Sequence, residues 1–194
     1  VEIGPALGHI SSLMVQRGMS VYSFEAQQQN VDKMEETKCM LGPKGLKWSV
    51  RHLLLGNGKT VHVNTNATDN KAAIHFSNTE EKTYLLKNEL SDNDIECLHM
   101  CLDGTISEIS ILEGLGDKIH NVHNFVLRVY PYTDEQRQSF YNLIDFLSSL
   151  GIDFFVVNQK KVNRQELIEV FNRMPKHFNF CAKREYDYDG NAMN

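Results

Sequence analysis

Short apolar runs and stretches of helical periodicity alternate along almost the whole chain, and no other feature constrains its fold as much. "VEI", "MSVYSF", "IECLHMCL", "NFVLRVYP", "IDFFVVN" and "HFNFCAKR" have the length and residue types of strands. "LGHISSLMVQRG", closed by Gly18, reads as a helix, and so do residues 28–41, stopped by "GPKG". Further helices are expected in "ISEISILEGLGDKI", in "NRQELIEVFNRM", and in "TDEQRQSFYNLIDFLSSLG", where Thr133 and Gln136 have capping-box spacing. Strand–helix alternation of this kind builds a mostly parallel sheet covered on both faces. The sequence therefore predicts a three-layer, Rossmann-like α/β fold. Its sheet should have seven mostly parallel strands and an antiparallel C-terminal edge made from "IDFFVV" and "HFNFCAKR".

The middle of the chain is less regular. "LKWSVRHLLLGNG" fits a strand in its first half and a helix end in its second. "KTVHVN" reads as a strand with a hairpin partner in "AAIHF", and "SNTEEKTYLLKNELSDND" as a polar, exposed connection that could wall an acceptor pocket. "NQKKVNRQ" reads as a solvated helix start. At 194 residues the chain suffices for one domain, expected over 1–184 with a polar tail at 185–194. It opens almost inside a strand, which leads us to expect further sequence upstream.

A net charge of −5 argues against a nucleic-acid footprint covering the whole domain, although it leaves nucleic acid among the conceivable partners. No apolar run approaches the ~20 residues needed to span a bilayer. The four cysteines, at positions 39, 97, 101 and 181, are too few for a disulfide scaffold and match no common zinc spacing. They point to a reducing compartment such as the cytoplasm, with Cys97 and Cys101 acting as small buried hydrophobes. His99 reads as a satisfied core histidine, and His120 and His123 as solvated loop residues, so no metal site is expected. A nucleophile elbow and a Walker loop are both missing from the sequence.

Ligands of open parallel sheets bind beyond the carboxyl ends of the strands. Gly4, Glu25, the stretch from Asn66 to Asp69, and Asp103 all fall at or just past predicted strand ends. A glycine after the first strand lets the backbone approach a ligand, and the next helix turns its free amides toward the same space. A carboxylate ending the second strand, Glu25, can accept two hydrogen bonds from a ribose diol. The plainer alternative is a tight turn at Gly4 and Gly8 beside a solvated Glu25.

"EIGPALGHISSLMVQRGMSVYSFEAQQQN" resembles the first motif of the FkbM-like group of seven-strand S-adenosylmethionine-dependent methyltransferases, through Glu2, Ile3, Gly4, Gly8, His9, Glu25 and Asn30. "VNTNATDNKAAIHF" is similar to the group's segment after the third strand, with Asn64, Asp69 and Phe76 in place. "LHMCLDGTISEISILEG" aligns with the segment around the fourth strand and keeps Asp103, Glu108, Leu112 and Gly114. The resemblance covers roughly residues 1–182. It implies a cofactor set of Glu2, Gly4, Gly8, Glu25, Asn66 and Asp69 for S-adenosylmethionine. Asp103 and Glu108 would lie on the catalytic side, with methyl transfer to an oxygen of an unknown acceptor. The chain departs from the group at Pro5, Ala6, Ala26, Cys101, the "GTI" after Asp103, and Arg128. A nicotinamide dehydrogenase would want a glycine at Ala6. The second functional reading is a catalytically inactive methyltransferase-like module acting through protein contacts, alone or as part of a larger polypeptide.

Overall fold

A computed structural model describes residues 1–63, 79–91, 95–102, 107–130, 132–174 and 177–183. Its first third contains β1 (Glu2–Ile3), α1 (His9–Gln16), β2 (Val21–Glu25), α2 (Gln28–Met40), a 3-10 turn (Gly42–Lys47) and β3 (Trp48–His52). Short pieces follow: β4 (Leu55–Gly56), β5 (Thr60–Val63), β6 (Thr79–Lys82), β7 (Tyr84–Leu85) and α3 (Leu86–Glu89). The remainder runs β8 (Ile95–Cys101), α4 (Glu108–Glu113), a 3-10 turn (Gly116–Asn121), β9 (Val122–Val129), α5 (Asp134–Ser149), β10 (Phe154–Val157), β11 (Lys160–Val162), α6 (Arg164–Arg173) and β12 (Phe178–Lys183).

The main sheet has the order β11-β10-β12-β9-β8-β1-β2-β3. Neighbours from β9 to β3 pair in parallel, whereas β12 runs antiparallel to both β9 and β10. The mostly parallel three-layer architecture is as the sequence predicts, with an eighth strand added. The antiparallel C-terminal strand does not close the edge; it inserts between β9 and β10, and β11 lies outermost. That eighth strand occupies part of the stretch expected to be a helix start. Asn158 and Gln159, both at positive φ, make a two-residue hairpin turn, and α6 begins only after Asn163 caps it. Strand order reverses between β1 and β8, and open parallel sheets bind their ligands at the carboxyl ends of the strands flanking such a point.

Two apolar clusters hold the layers together. On one face, Ile3, Phe24, Leu98, Met100, Phe125, Leu127 and Phe180 pack with side chains of α4, α5 and α6. The α5 contribution is a single stripe, Phe140, Leu143, Ile144 and Leu147, at the spacing that keeps side chains on one side of a helix. The Phe140 ring stacks on Phe171 at 3.8 Å and meets Phe180 edge-on at 5.9 Å. Full burial of each such side chain contributes about 1.5–3 kcal/mol. On the other face Val15, Val21, Val31, Met34 and Trp48 join α1 and α2 to β2 and β3. β8 is buried less completely than its apolar run predicts, because Cys97 and Cys101 are only half-buried.

The expected hairpin differs in its partner. β5 pairs with β6, inside the stretch read as a polar connection, and Leu86 in that same stretch is fully buried. The ambiguous segment is a strand at β3, after which Leu54 and Leu55 turn into the core. Residues 72–76, the expected partner, and 185–194, the expected tail, lie outside the described residues. Among the described residues no helix is long and apolar enough to cross a membrane.

The capping box of α5 is complete: Thr133 Oγ1 accepts from the Gln136 amide at 3.1 Å, and Gln136 Oε1 accepts from the Thr133 amide at 3.2 Å. Thr133→Ala is expected to lower the unfolding free energy by about 1 kcal/mol. Urea titration should show the midpoint falling at unchanged slope.

Candidate functional site

Between β1 and α1 the backbone makes a tight loop with alternate residues in the left-handed region: Gly4 (φ 67°), Ala6 (φ 51°) and Gly8 (φ 71°). Space is as restrictive as φ here. A Cβ on Gly4 would come within 2.7 Å of the Cys101 carbonyl oxygen, and one on Gly8 within 2.7 Å of Met34 and of the Trp48 ring. The loop is thus pressed onto the end of β8 on one side and the indole on the other. Ala6 has no such freedom, and its left-handed conformation costs roughly 1–2 kcal/mol.

Glu25 helps to hold Ala6 there. Its carboxylate ends β2, is 4% exposed, and accepts from the Ala6 amide through Oε2 and from the Gln27 amide through Oε1, each at 3.0 Å. Burial pushes the Glu25 carboxyl above its ordinary value of 4.5, against a smaller pull from Gln27, Ala6 and the Asn30 side chain. The carbonyl of Glu25 also accepts from the Leu53 amide, so this one residue joins the glycine loop, α2 and the chain leaving β3. Beside the Ala6 and Gln27 amides, the Asn30 side chain and the Ala26 backbone also favour its charged form.

A second carboxylate, Glu2, is 2% exposed and turns toward the face covered by α1. His99 Nδ1 lies 3.1 Å from its Oε1, and Ser11 Oγ donates to its Oε2. From Ser11 the chain of contacts continues to Ser23 Oγ at 2.7 Å, which in turn accepts from Trp48 Nε1 at 2.8 Å. Five buried polar side chains on β8, β1, α1, β2 and β3 thereby satisfy one another. His99 is a satisfied core histidine, as the sequence predicts. Ser11 and Ser23 were not legible as members of this network; their one sequence signal is a small polar residue at a position where the periodicity demands an apolar one.

Of the predicted site residues, Glu2, Gly4, Gly8 and Glu25 are gathered around this loop. Glu108 stands at the first position of α4 and is buried at 8% exposure. Asn66, Asp69 and Asp103 lie outside the described residues, as do Asn64 and Phe76. His9 is exposed at the start of α1. His123 belongs to β9 rather than to a loop, and no cluster of three candidate metal ligands occurs among the described residues. A cavity of about 450 Å³ opens at the opposite end of the sheet, between the amino ends of β2 and β8 and lined by Val1, Met14, Val21 and Ile95. It is remote from the strand carboxyl ends, so we place the candidate site at the loop.

No family model and no curated protein matches the sequence. Solved structures do match its backbone. FkbM methyltransferase from Methylobacillus flagellatus superposes with a TM-score of 0.59 at 13% identity, over 93% of this chain and 42% of its own. TrmK of M. capricolum, solved with its natural cofactor product S-adenosyl-homocysteine, gives 0.51 at 13% identity, over 96% of this chain and 62% of its own. Magnesium protoporphyrin IX methyltransferase (ChlM) from Synechocystis, also with S-adenosyl-homocysteine bound, gives 0.50 at 12% identity, over 95% of this chain and 72% of its own. The chain has the Rossmann-like methyltransferase fold. It spans under two thirds of the length of the FkbM and TrmK structures. The glycine loop and Glu25 sit where that fold, like other doubly wound sheets, keeps its ligand crevice.

Gly8→Ala should destabilise the domain by about 2–4 kcal/mol, from left-handed strain plus overpacking against Trp48. Because the sequence has one tryptophan, the fluorescence of Trp48 should shift in the folded variant as well as report its unfolding.

Proposed function

We propose that this chain binds S-adenosylmethionine at the glycine loop and transfers its methyl group to an oxygen of an acceptor. The observation that carries the reading is the placement of Glu25, a buried carboxylate at the end of β2, directly bonded to the loop that follows β1. In this reading the ribose hydroxyls donate to the Glu25 carboxylate beside the Ala6 and Gln27 amides that hold it. Gly4 and Gly8 keep the loop free of Cβ atoms where the amino-acid end of the cofactor passes. Glu2 holds the helix that follows the loop through Ser11. Asn66 and Asp69 would flank the adenine. Asp103 and Glu108 would face the acceptor, where a carboxylate can take the hydroxyl proton as the oxygen attacks the methyl carbon. S-adenosylmethionine supplies the sulfonium leaving group; the protein's task is alignment and exclusion of water. The methyltransferases of like fold solved with S-adenosyl-homocysteine support the same choice of cofactor.

One observation favours a second reading. Both oxygens of Glu25 already accept from the backbone, so this residue has a complete structural role without any ligand. An inactive scaffold that keeps the fold would need no more of it.

Calorimetric titration with S-adenosylmethionine and S-adenosyl-homocysteine separates the two. Micromolar binding is expected, weakened ten- to a hundredfold by Glu25→Ala, or about 1.5–3 kcal/mol. Absence of heat from either ligand at millimolar concentration would establish the scaffold reading instead.

The pH dependence has a definite sign. Burial raises the carboxyl of Glu25 in the free protein, so its contribution to stability is present below pH 4.5 and declines as pH rises through the raised value. Hydroxyl donors favour the charged form and pull that value back down. Affinity for S-adenosyl-homocysteine should therefore be highest near neutral pH and fall as the solution is acidified through the raised Glu25 value, with proton release on binding in that window. A flat profile in which wild type and Glu25→Gln coincide would place the ribose elsewhere.

A further inference from the structure

One strand beyond the glycine loop, three strands carry a row of polar side chains to the same end of the sheet. Cys101 on β8 stands in register with Arg128 on β9, and Arg128 with Asn179 on β12. In-register neighbours project from one face, so the three side chains meet. Arg128 Nε donates to Asn179 Oδ1 at 3.0 Å, while Cys101 and Tyr130 are the other electrostatic neighbours of the guanidinium. Cys101 Sγ itself lies 3.9 Å from Tyr130 Oη. The Tyr130 ring is 5.8 Å from that of Tyr132 and 6.2 Å from that of His177.

A guanidinium has five donors and stays charged. Here it is half-buried beside an amide, a thiol and a phenol, and burial holds the Tyr130 phenol above its ordinary value, in its neutral form. Among the described residues no carboxylate pairs with Arg128. Surface arginines reach water or a carboxylate without such fixing; this one is fixed in place by Asn179 and has no countercharge among the described residues. The row is also close to the candidate cofactor loop, since Gly4 packs against the carbonyl of Cys101.

We propose that Arg128, oriented by Asn179, is an anion-binding subsite that takes a carboxylate or phosphate group of the methyl acceptor. Tyr130, Tyr132 and His177 form an aromatic wall for a ring that bears that group. Carboxylates and phosphates match the planar fork of arginine with paired hydrogen bonds, and rings stack on aromatic faces. The word "acceptor" rests on the function proposed above; the anion subsite does not, because it is built from other residues.

The test titrates the purified chain with phenyl phosphate, benzoate and neutral phenol at constant ionic strength, with and without saturating S-adenosyl-homocysteine. Phenyl phosphate or benzoate should bind and phenol should not, and the tighter of the two anions identifies the anionic group. Arg128→Gln should weaken anion binding at least tenfold while leaving S-adenosyl-homocysteine binding unchanged. Arg128→Lys, which keeps the charge but loses the fork, should fall between the two. Equal affinity of wild type and Arg128→Gln for the anions would overturn the proposal, as would phenol binding as tightly as benzoate. If Arg128→Gln does not fold, unchanged phenyl phosphate affinity in Arg128→Lys has the same consequence. Anion binding by a chain that does not bind S-adenosyl-homocysteine would remove the cofactor reading and leave the subsite standing; S-adenosyl-homocysteine binding without anion binding would remove the subsite alone.

Discussion

The carboxylate of Glu25 is the tie on which the candidate site of this molecule depends. It takes one amide from the loop after β1 and one from the entry to α2, and its own carbonyl takes a third from the strand exit beyond β3. Three separate chain segments therefore share one residue that is 4% exposed. A group so placed must be desolvated, and the hydrogen bonds do not offset this fully, since its carboxyl remains raised. The same desolvation makes it a strong acceptor for any hydroxyl that enters. Structural tie and ligand contact are compatible uses of a single side chain, because a carboxylate oxygen accepts more than one hydrogen bond.

Beneath this tie lies a second polar system, from His99 through Glu2, Ser11 and Ser23 to the Trp48 indole. It crosses the switch point of the sheet, where β1 meets both β8 and β2. An apolar core there would tolerate small shifts of α1 against the sheet. A directional network does not, since each displacement breaks a buried hydrogen bond. The loop is consequently mounted on a part of the protein with one favoured geometry, which is what a binding loop requires.

How much of this was legible in the sequence varied with the kind of signal. α5 could be read with its ends because Thr133, Gln136 and an unbroken apolar stripe all agree. β11 could not: its turn, Asn158–Gln159, lacks the glycine that usually announces a two-residue hairpin, and "KKV" carries no apolar alternation. β6 was hidden for a related reason, since among the described residues "TEEK" pairs with β5 in a two-stranded ribbon and has no apolar face to show. In the candidate site, Gly4, Gly8 and Glu25 were legible because backbone freedom and a charge at a strand end leave marks on single residues. The polar network and the row at Arg128 were not, because they depend on strand register, and register is a property of pairs of segments distant in the chain.

β9 shows what that register separates. Phe125, Leu127 and Val129 point into the core packed by α4 to α6, while Asn124, Val126 and Arg128 lie on the other face and are half-buried. A period of two thus divides the strand into positions that maintain the fold and positions that meet whatever binds beside it. Substitutions at the second set can change what the protein recognises and leave the core alone, so along this strand specificity can diverge between descendants while the architecture is inherited intact.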